Sequence, residues 1–235
     1  PILSDIADQS IDEDASLTYN IVANDVDGDD LEYSASVDGN ATVDVTDNLL
    51  TITPALNYNG SIAITVNVSD GDETDSDTFT LIVNPVNDAP VLSNIEDQSI
   101  DEDTSLTYSL VASDIDGDDL TFVASVDGNA SVLITDNLLE ITPTLNYNGS
   151  IQVMVNVSDG EYTDSDTFTL TVNPINDTPI LSDIPDQSID EDTSLTYSLV
   201  ASDIDGDYLE YSASVDGNAT VDVTDNLLTI TPTLN

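Results

Sequence analysis

The sequence contains no lysine, arginine, histidine, cysteine or tryptophan, and only one methionine. Each absence removes a class of chemistry. Without Lys or Arg there is nothing to neutralise phosphate, so nucleic acids and anionic membrane surfaces are excluded as partners. Without His, Cys and Lys there is no imidazole catalytic centre, no Cys/His zinc site and no Schiff-base amine. No disulfide can staple the chain, and no Lys–Asn isopeptide bond can replace one. No apolar run is long enough to cross a bilayer as a helix, and no stretch of these 235 residues reads as a signal peptide or sorting segment, so membrane insertion is not expected. Stiffness must come from hydrophobic packing or from bound ions.

What is present is acid. There are 48 Asp and Glu residues, giving a formal charge of −48, yet 39% of the residues are hydrophobic. High charge with few aromatics is a signature of disorder. Here the apolar residues alternate with polar ones, as half-buried strands require, and that pattern overrides the charge.

The sequence repeats. Pro1-Ile2-Leu3-Ser4 returns as Pro90-Val91-Leu92-Ser93 and as Pro179-Ile180-Leu181-Ser182, a period of 89 residues. Within one copy the pattern predicts about seven strands: Gln9–Ile11, Ser16–Val22, Leu31–Val37, Ala41–Thr46, Leu49–Thr53, a stripe of Ile62, Ile64, Val66 and Val68, and Thr74–Asn84. Asp38-Gly39-Asn40 and Asp47-Asn48 supply turn chemistry between them. Many short strands with no helical period predict an all-β chain of tandem immunoglobulin-like β-sandwiches. Tyr58 and Tyr147, in Leu-Asn-Tyr-Asn-Gly, read either as tyrosine-corner residues or as ordinary packed aromatics. The Pro-rich segment 83–90 is too short for a floppy tether.

One acidic turn recurs in every copy: Asp25-Val26-Asp27-Gly28-Asp29-Asp30, Asp114-Ile115-Asp116-Gly117-Asp118-Asp119 and Asp203-Ile204-Asp205-Gly206-Asp207-Tyr208. One reading is a solvated loop that keeps the protein soluble. The other is a cation loop, since carboxylate and backbone oxygens suit Ca²⁺, which takes six to eight oxygen ligands. Other acidic clusters recur with the same period, which favours the cation. The turn is not an EF-hand: its Gly falls fourth instead of sixth, and the twelfth position is Ser36.

These residues resemble a known family. Ala23-Asn24-Asp25-Val26-Asp27, Val68-Ser69-Asp70-Gly71 and Asn87-Asp88-Ala89-Pro90 look like the calcium motifs of cadherin repeats. The unit is more similar still to the bacterial cadherin-like tandem repeats of large secreted adhesins, with their NDAP linker, DxDGDxLxY turn and NYNGS segment. The resemblance implies an extended rod of sandwiches with Ca²⁺ at each junction. At the first junction it implies ligands from Glu13, from Asn87 and Asp88 in the linker, and from Asp114, Asp116 and Asp159 of the following copy. At the second it implies Glu102, Asn176, Asp177, Asp203 and Asp205. By the same correspondence Asp25, Asp27 and Asp70 in the first copy and Glu191 in the third are candidate ligands. Two departures stand out: Asn57-Tyr58-Asn59 replaces an acidic triplet, and Pro85 replaces the first linker acid. Both imply fewer ions per junction, with Asp29, Asp118 and Asp207 compensating locally.

The expected domains are a sandwich over 1–86, a second over 87–175 and an incomplete third over 176–235 that lacks its last two strands. The third copy stops at Asn235, the counterpart of Asn57. Either the sequence is a window on a longer array, which is the favoured expectation, or another molecule supplies the missing strands. The expected role is a calcium-stiffened spacer in a secreted bacterial adhesin or extracellular filament, at the cell surface. Its partners would be the covalently adjacent repeats, with other copies in a filament as a further partner. The alternatives are a carbohydrate- or protein-binding module and an acidic surface-layer or halophilic repeat protein. Against the binding module, the exposed positions are Thr, Ser and Asp, and no Trp is available for sugar stacking. Paired carboxylates can serve glycoside hydrolysis, but here they recur identically in loops, so no enzyme is expected. Asn-x-Ser/Thr triplets such as Asn40-Ala41-Thr42, Asn59-Gly60-Ser61 and Asn67-Val68-Ser69 arise readily in so Asn- and Thr-rich a sequence, and carry no argument for glycosylation.

Overall fold

A computed structural model of the protein describes residues 1–233; Asn235, where the third copy stops, lies outside the described residues. Those residues form strands and turns, with no helix among them. The first repeat contains β1 (Ile2–Leu3), β2 (Gln9–Asp12), β3 (Leu17–Asn20), β4 (Ala23–Asn24), β5 (Glu32–Val37), β6 (Ala41–Thr46), β7 (Leu49–Pro54), β8 (Gly60–Ser69) and β9 (Thr74–Asn84). One sheet runs β2-β9-β8-β5 and the other β3-β7-β6, with β1 and β4 pairing separately. All these pairings are antiparallel except β2 with β9, where Gln9 faces Leu81 in parallel register.

The core follows from the period of two. Ile62, Ile64, Val66 and Val68 from β8 and Leu81 from β9 are completely buried, and they meet Leu50 and Ile52 of β7 in the other sheet. Burying each such residue contributes roughly 1.5–3 kcal/mol relative to exposure. Tyr19 of β3 and Phe79 of β9 tie the two sheets together, with ring centroids 6.3 Å apart. The β6–β7 turn places Asp47 at φ 54°, a conformation that Asp tolerates better than most residues.

The second repeat contains β10 (Val91–Leu92), β11 (Gln98–Asp101), β12 (Leu106–Ser109), β13 (Ala112–Ser113), β14 (Thr121–Val126), β15 (Ala130–Thr135), β16 (Leu138–Pro143), β17 (Gly149–Ser158) and β18 (Thr163–Asn173). Again β11 pairs in parallel with β18. The third repeat contains β19 (Ile180–Leu181), β20 (Leu195–Ser198), β21 (Ala201–Ser202), β22 (Ala219–Thr224) and β23 (Leu227–Pro232). Residues 187–190 and 210–215 form no strand there. Their counterparts in the first repeat, β2 and β5, pair with β9 and β8.

Two details differ from the strand pattern. The expected Ser16–Val22 strand breaks after Asn20, and Ala23–Asn24 pairs instead with Ile2–Leu3. The Ile21 amide then bonds to the Asn48 carbonyl, which keeps Ile21 in the core. Contacts also divide the described residues into two compact units. One comprises Pro1–Leu92, Ala112–Thr121 and Val157–Asp164; the remaining described residues form the other. The linker and the acidic loops of the second repeat thus belong to the same unit as the first sandwich.

Residues 4–8 have no ladder partners, and carboxylates hold them. The Leu3 amide donates to Asp75 Oδ2 at 2.8 Å and the Ile6 amide to Asp77 Oδ2 at 2.7 Å, while the Thr80 amide donates to Asp8 Oδ1 at 2.8 Å. The second repeat does the same through Asp164, Asp166 and Asp97. A hydrogen bond to a charged acceptor contributes about 1.5–3 kcal/mol. Asp77→Ala is therefore expected to destabilise the protein by about that amount in urea unfolding and to lower hydrogen-exchange protection at Ile6. Unchanged protection at Ile6 would show that the carboxylate does not hold this segment.

Candidate metal centre

The acidic turn is folded by its own first carboxylate. Asp114 Oδ1 accepts from the amides of Asp116, Gly117 and Asp118 at 2.9, 3.0 and 3.3 Å. Asp25 Oδ1 does the same for Asp27, Gly28 and Asp29, and Asp203 Oδ1 accepts from Asp205 and Asp207. Gly117 stands at φ 81°, a backbone that a side chain would strain. One oxygen of Asp114 is thereby used. The other, Oδ2, is buried and has no hydrogen-bond partner.

The first junction assembles from four stretches of the sequence: Glu13, the linker 86–88, the acidic turn 114–118 and Asp159. The linker amide of Asp88 donates to Asp116 Oδ2 at 2.7 Å. Asn87 Nδ2 donates to Asp159 Oδ2 at 2.9 Å and to its neighbour's carbonyl, Asp88 O, at 3.1 Å. The Val86 amide donates to Glu13 Oε1. Glu13 is only 6% exposed, an unusual position for a carboxylate. Its Oε2, like Asp88 Oδ2 and Asp114 Oδ2, is buried without a hydrogen-bond partner. Among the described residues, Asp114, Asp116 and Asp118 bring carboxylate oxygens within 4.8 Å of one another.

The second junction repeats the arrangement. The Ile175 amide donates to Glu102 Oε1 and the Asp177 amide to Asp205 Oδ2, each at 2.6 Å, while Asn176 Nδ2 bonds to Asp177 O. Asp177 Oδ2 is buried without a partner. In the first repeat Asp25 Oδ2 and Asp70 Oδ2 converge on the Pro1 nitrogen at 3.2 and 3.4 Å. Glu191 is exposed, unlike Glu13 and Glu102. Those two accept the Val86 and Ile175 amides from the linker of their own repeat. Sequence reasoning passed over Asp14 and Asp103, whose Oδ1 atoms accept the amides of Asn57 and Asn146 and whose charges add to the site. The recurring Asp-Glu-Asp triplet was the available signal.

The electrostatics show the strain of this assembly. Burial pushes the Asp88 carboxyl above its ordinary value, and the charges of Asp116, Asp14, Glu13 and Asp114 push it further. Asp177 is raised in the same way, by burial and then by Asp205, Asp103, Glu102 and Asp203. Asp159 moves the other way: burial opposes ionisation, but donation from Asn87 and from the Glu161 and Tyr162 amides outweighs it. The Glu73 and Asp72 amides likewise hold Asp70 low. A buried oxygen without a donor, surrounded by like charges, requires a proton or a cation. The donors are all oxygen, from carboxylates, amides and backbone carbonyls, and they sit in loops of flexible geometry. That set fits a hard divalent cation of the calcium type better than a softer metal.

Residues 1–83 and 87–173 match a family described as Bacterial Ig domain, and the chain belongs to that family. Chitinase A of Pseudoalteromonas piscicida is 31% identical over 160 residues, which is 64% of this chain but 19% of the chitinase. Among solved structures, an endo-fucoidan hydrolase of glycoside hydrolase family 107 is 19% identical with a TM-score of 0.34, over 96% of this chain and 38% of its own. Human protocadherin-24 EC1-2 is 20% identical with a TM-score of 0.44, over 66% of this chain and 86% of its own.

The raised carboxyls set a sign. In the metal-free protein Asp88 and Asp177 contribute stability that is fully present below the ordinary carboxylate value of about 3.9 and is lost as pH rises through their raised folded values. Asp159 and Asp70 act oppositely: their contribution is present above the ordinary value and is lost as pH falls through their lowered folded values. Asp88→Asn removes one repelling charge, so its melting temperature in EDTA at neutral pH is expected to exceed that of the unaltered protein. A lower melting temperature would show that the Asp88 charge is already satisfied without metal.

Proposed function

We propose that the chain is a calcium-stiffened structural segment of a secreted bacterial surface protein, dividing at 86/87 and 175/176 into repeats that space a functional part from the cell. Ca²⁺ at the first junction would be held by Glu13, Asp88, Asp114, Asp116 and Asp118, with Asn87 and Asp159 positioning the linker. Glu102, Asp177, Asp203, Asp205 and Asp207 would hold it at the second, with Asn176 in the positioning role. Asp25, Asp27, Asp29 and Asp70 would do so at the start of the first repeat, and Glu191 would serve a junction at the far end of the third. The observation that carries this reading is the set of three buried, unpartnered carboxylate oxygens contributed by Glu13, Asp88 and Asp114, from two repeats and their linker. The ion's charge would replace repulsion by a shared attraction and tie one repeat to the next. Its neighbours in this role are the adjacent repeats and, in a filament, other copies of the protein, outside the cell or at its surface.

A second reading is favoured by the chitinase match. The similarity covers a minor part of that enzyme, as expected of an accessory module carried beside a catalytic domain. On this reading the same calcium-stiffened repeats would space an enzyme that acts on polysaccharide.

Extracellular calcium modules bind with dissociation constants of about 10⁻⁴–10⁻³ M. At millimolar Ca²⁺, one to ten times that constant, each site that binds only the folded state adds about 0.4–1.4 kcal/mol. Millimolar Ca²⁺ is therefore expected to raise the melting temperature well above that in EDTA. Asp116→Asn is expected to shrink the rise while leaving the sandwich folded. Identical melting curves in Ca²⁺ and EDTA would overturn the proposal.

A further inference from the structure

Asn59 and Asn148 begin the two Asn-Gly dipeptides of the sequence that precede a serine, and both fall at the same place in the repeat. Asn-Gly is the dipeptide most prone to spontaneous deamidation, because glycine has no side chain to shield its amide nitrogen. Packing explains why glycine stands there. Gly60 has φ +137°, and a Cβ on it would lie 3.0 Å from Tyr58 Oη, whose hydroxyl donates to the Ser61 carbonyl. Gly149 has φ +140° and stands 2.9 Å from Tyr147 Oη by the same measure. Asn59 itself is exposed and lies outside any strand, just before β8. It lines a pocket of about 380 Å³ with Asn87, Asp116 and Asp118.

We propose that Asn59 and Asn148 are self-modification sites, and that conversion of Asn59 to aspartate adds a carboxylate beside the acidic cluster of Asp116 and Asp118. The Gly60 amide nitrogen, on losing its proton, attacks Cγ of Asn59. A ring bond forms between that nitrogen and Cγ, the bond from Cγ to Nδ2 breaks, and ammonia leaves with the transferred proton. Water then opens the succinimide, giving aspartate or isoaspartate, so one water is consumed and one ammonia released per residue. No enzyme or oxidant is required. The consequence for ion binding rests on the calcium reading above, while the covalent step does not. Without an ion the new charge adds to the repulsion among Asp116, Asp118 and their neighbours. With one it supplies an additional anionic oxygen, and ligand charge tunes calcium affinity.

Two measurements test this on the full-length protein. After incubation at mildly alkaline pH, peptide mapping is expected to show Asn59 and Asn148 converted ahead of Asn57 and Asn67, and Asn59→Gln is expected to keep its amide. Retention of the Asn59 amide while Asn57 or Asn67 converts, or isoaspartate as the sole product, would overturn the proposal. Melting of Asn59→Asp is expected to shift in opposite directions: down relative to the unaltered protein in EDTA, up in Ca²⁺, with calcium affinity higher by about threefold or more. A shift of the same sign in both media would overturn the ligand role. If the unaltered protein shows no calcium shift, the calcium reading fails, and the peptide map still decides the covalent step.

Discussion

Repulsion among carboxylates that the protein itself cannot neutralise is the constraint on which the junctions depend. With no Lys, Arg or His anywhere in the sequence, an acidic oxygen at the two junctions is satisfied by a backbone amide or a side-chain amide. The structure uses these donors economically. Asp114 satisfies one oxygen with three amides of its own loop, and Asp159 satisfies one with the Glu161 and Tyr162 amides and the other with Asn87. Glu13 accepts the linker amide of Val86 on one oxygen. The donors then run out, and the oxygens left over on Glu13, Asp88 and Asp114 are buried. Leaving such groups unsatisfied is costly, and burial, with the like charges around them, raises Asp88 and Asp177.

The sandwich and the junction are separate in their energetics. The core of the first repeat is built from aliphatic and aromatic side chains, largely at alternate positions, and no carboxylate takes part in it. The Asp75 and Asp77 bonds belong to the sandwich, since each satisfies an amide that has no ladder partner. The junction is a second layer: loops that close on themselves, joined by linker amides that reach across to Asp116 and Asp159. On the proposed function a hard cation would act on this second layer, which is why calcium is expected to alter how repeats are joined more than whether each one folds. Membership of the bacterial immunoglobulin-domain family accounts for the first layer; function has to be argued from the second.

Much of this was legible in the sequence. The stripe from Ile62 to Val68 marked β8, the 89-residue period marked the repeats, and the triple DxDGD turn marked the cluster at Asp114, Asp116 and Asp118. The rest depended on pairings that no local pattern encodes. The break after Asn20 reads as continuous alternation, and only the partnership of β4 with β1 explains it. Asp77 looks like an ordinary exposed strand residue until Ile6 is seen beside it, 71 positions away. The hydrogen bond of Glu13 depends on a linker 73 residues downstream.

The most direct test of the account is calorimetric titration of Ca²⁺ into the metal-free protein, beside a variant with both Asp88→Asn and Asp177→Asn. The account predicts saturable binding with a dissociation constant of about 10⁻⁴–10⁻³ M, lost or markedly weakened in the variant. No saturable binding, or binding of equal strength in the two proteins, would contradict it.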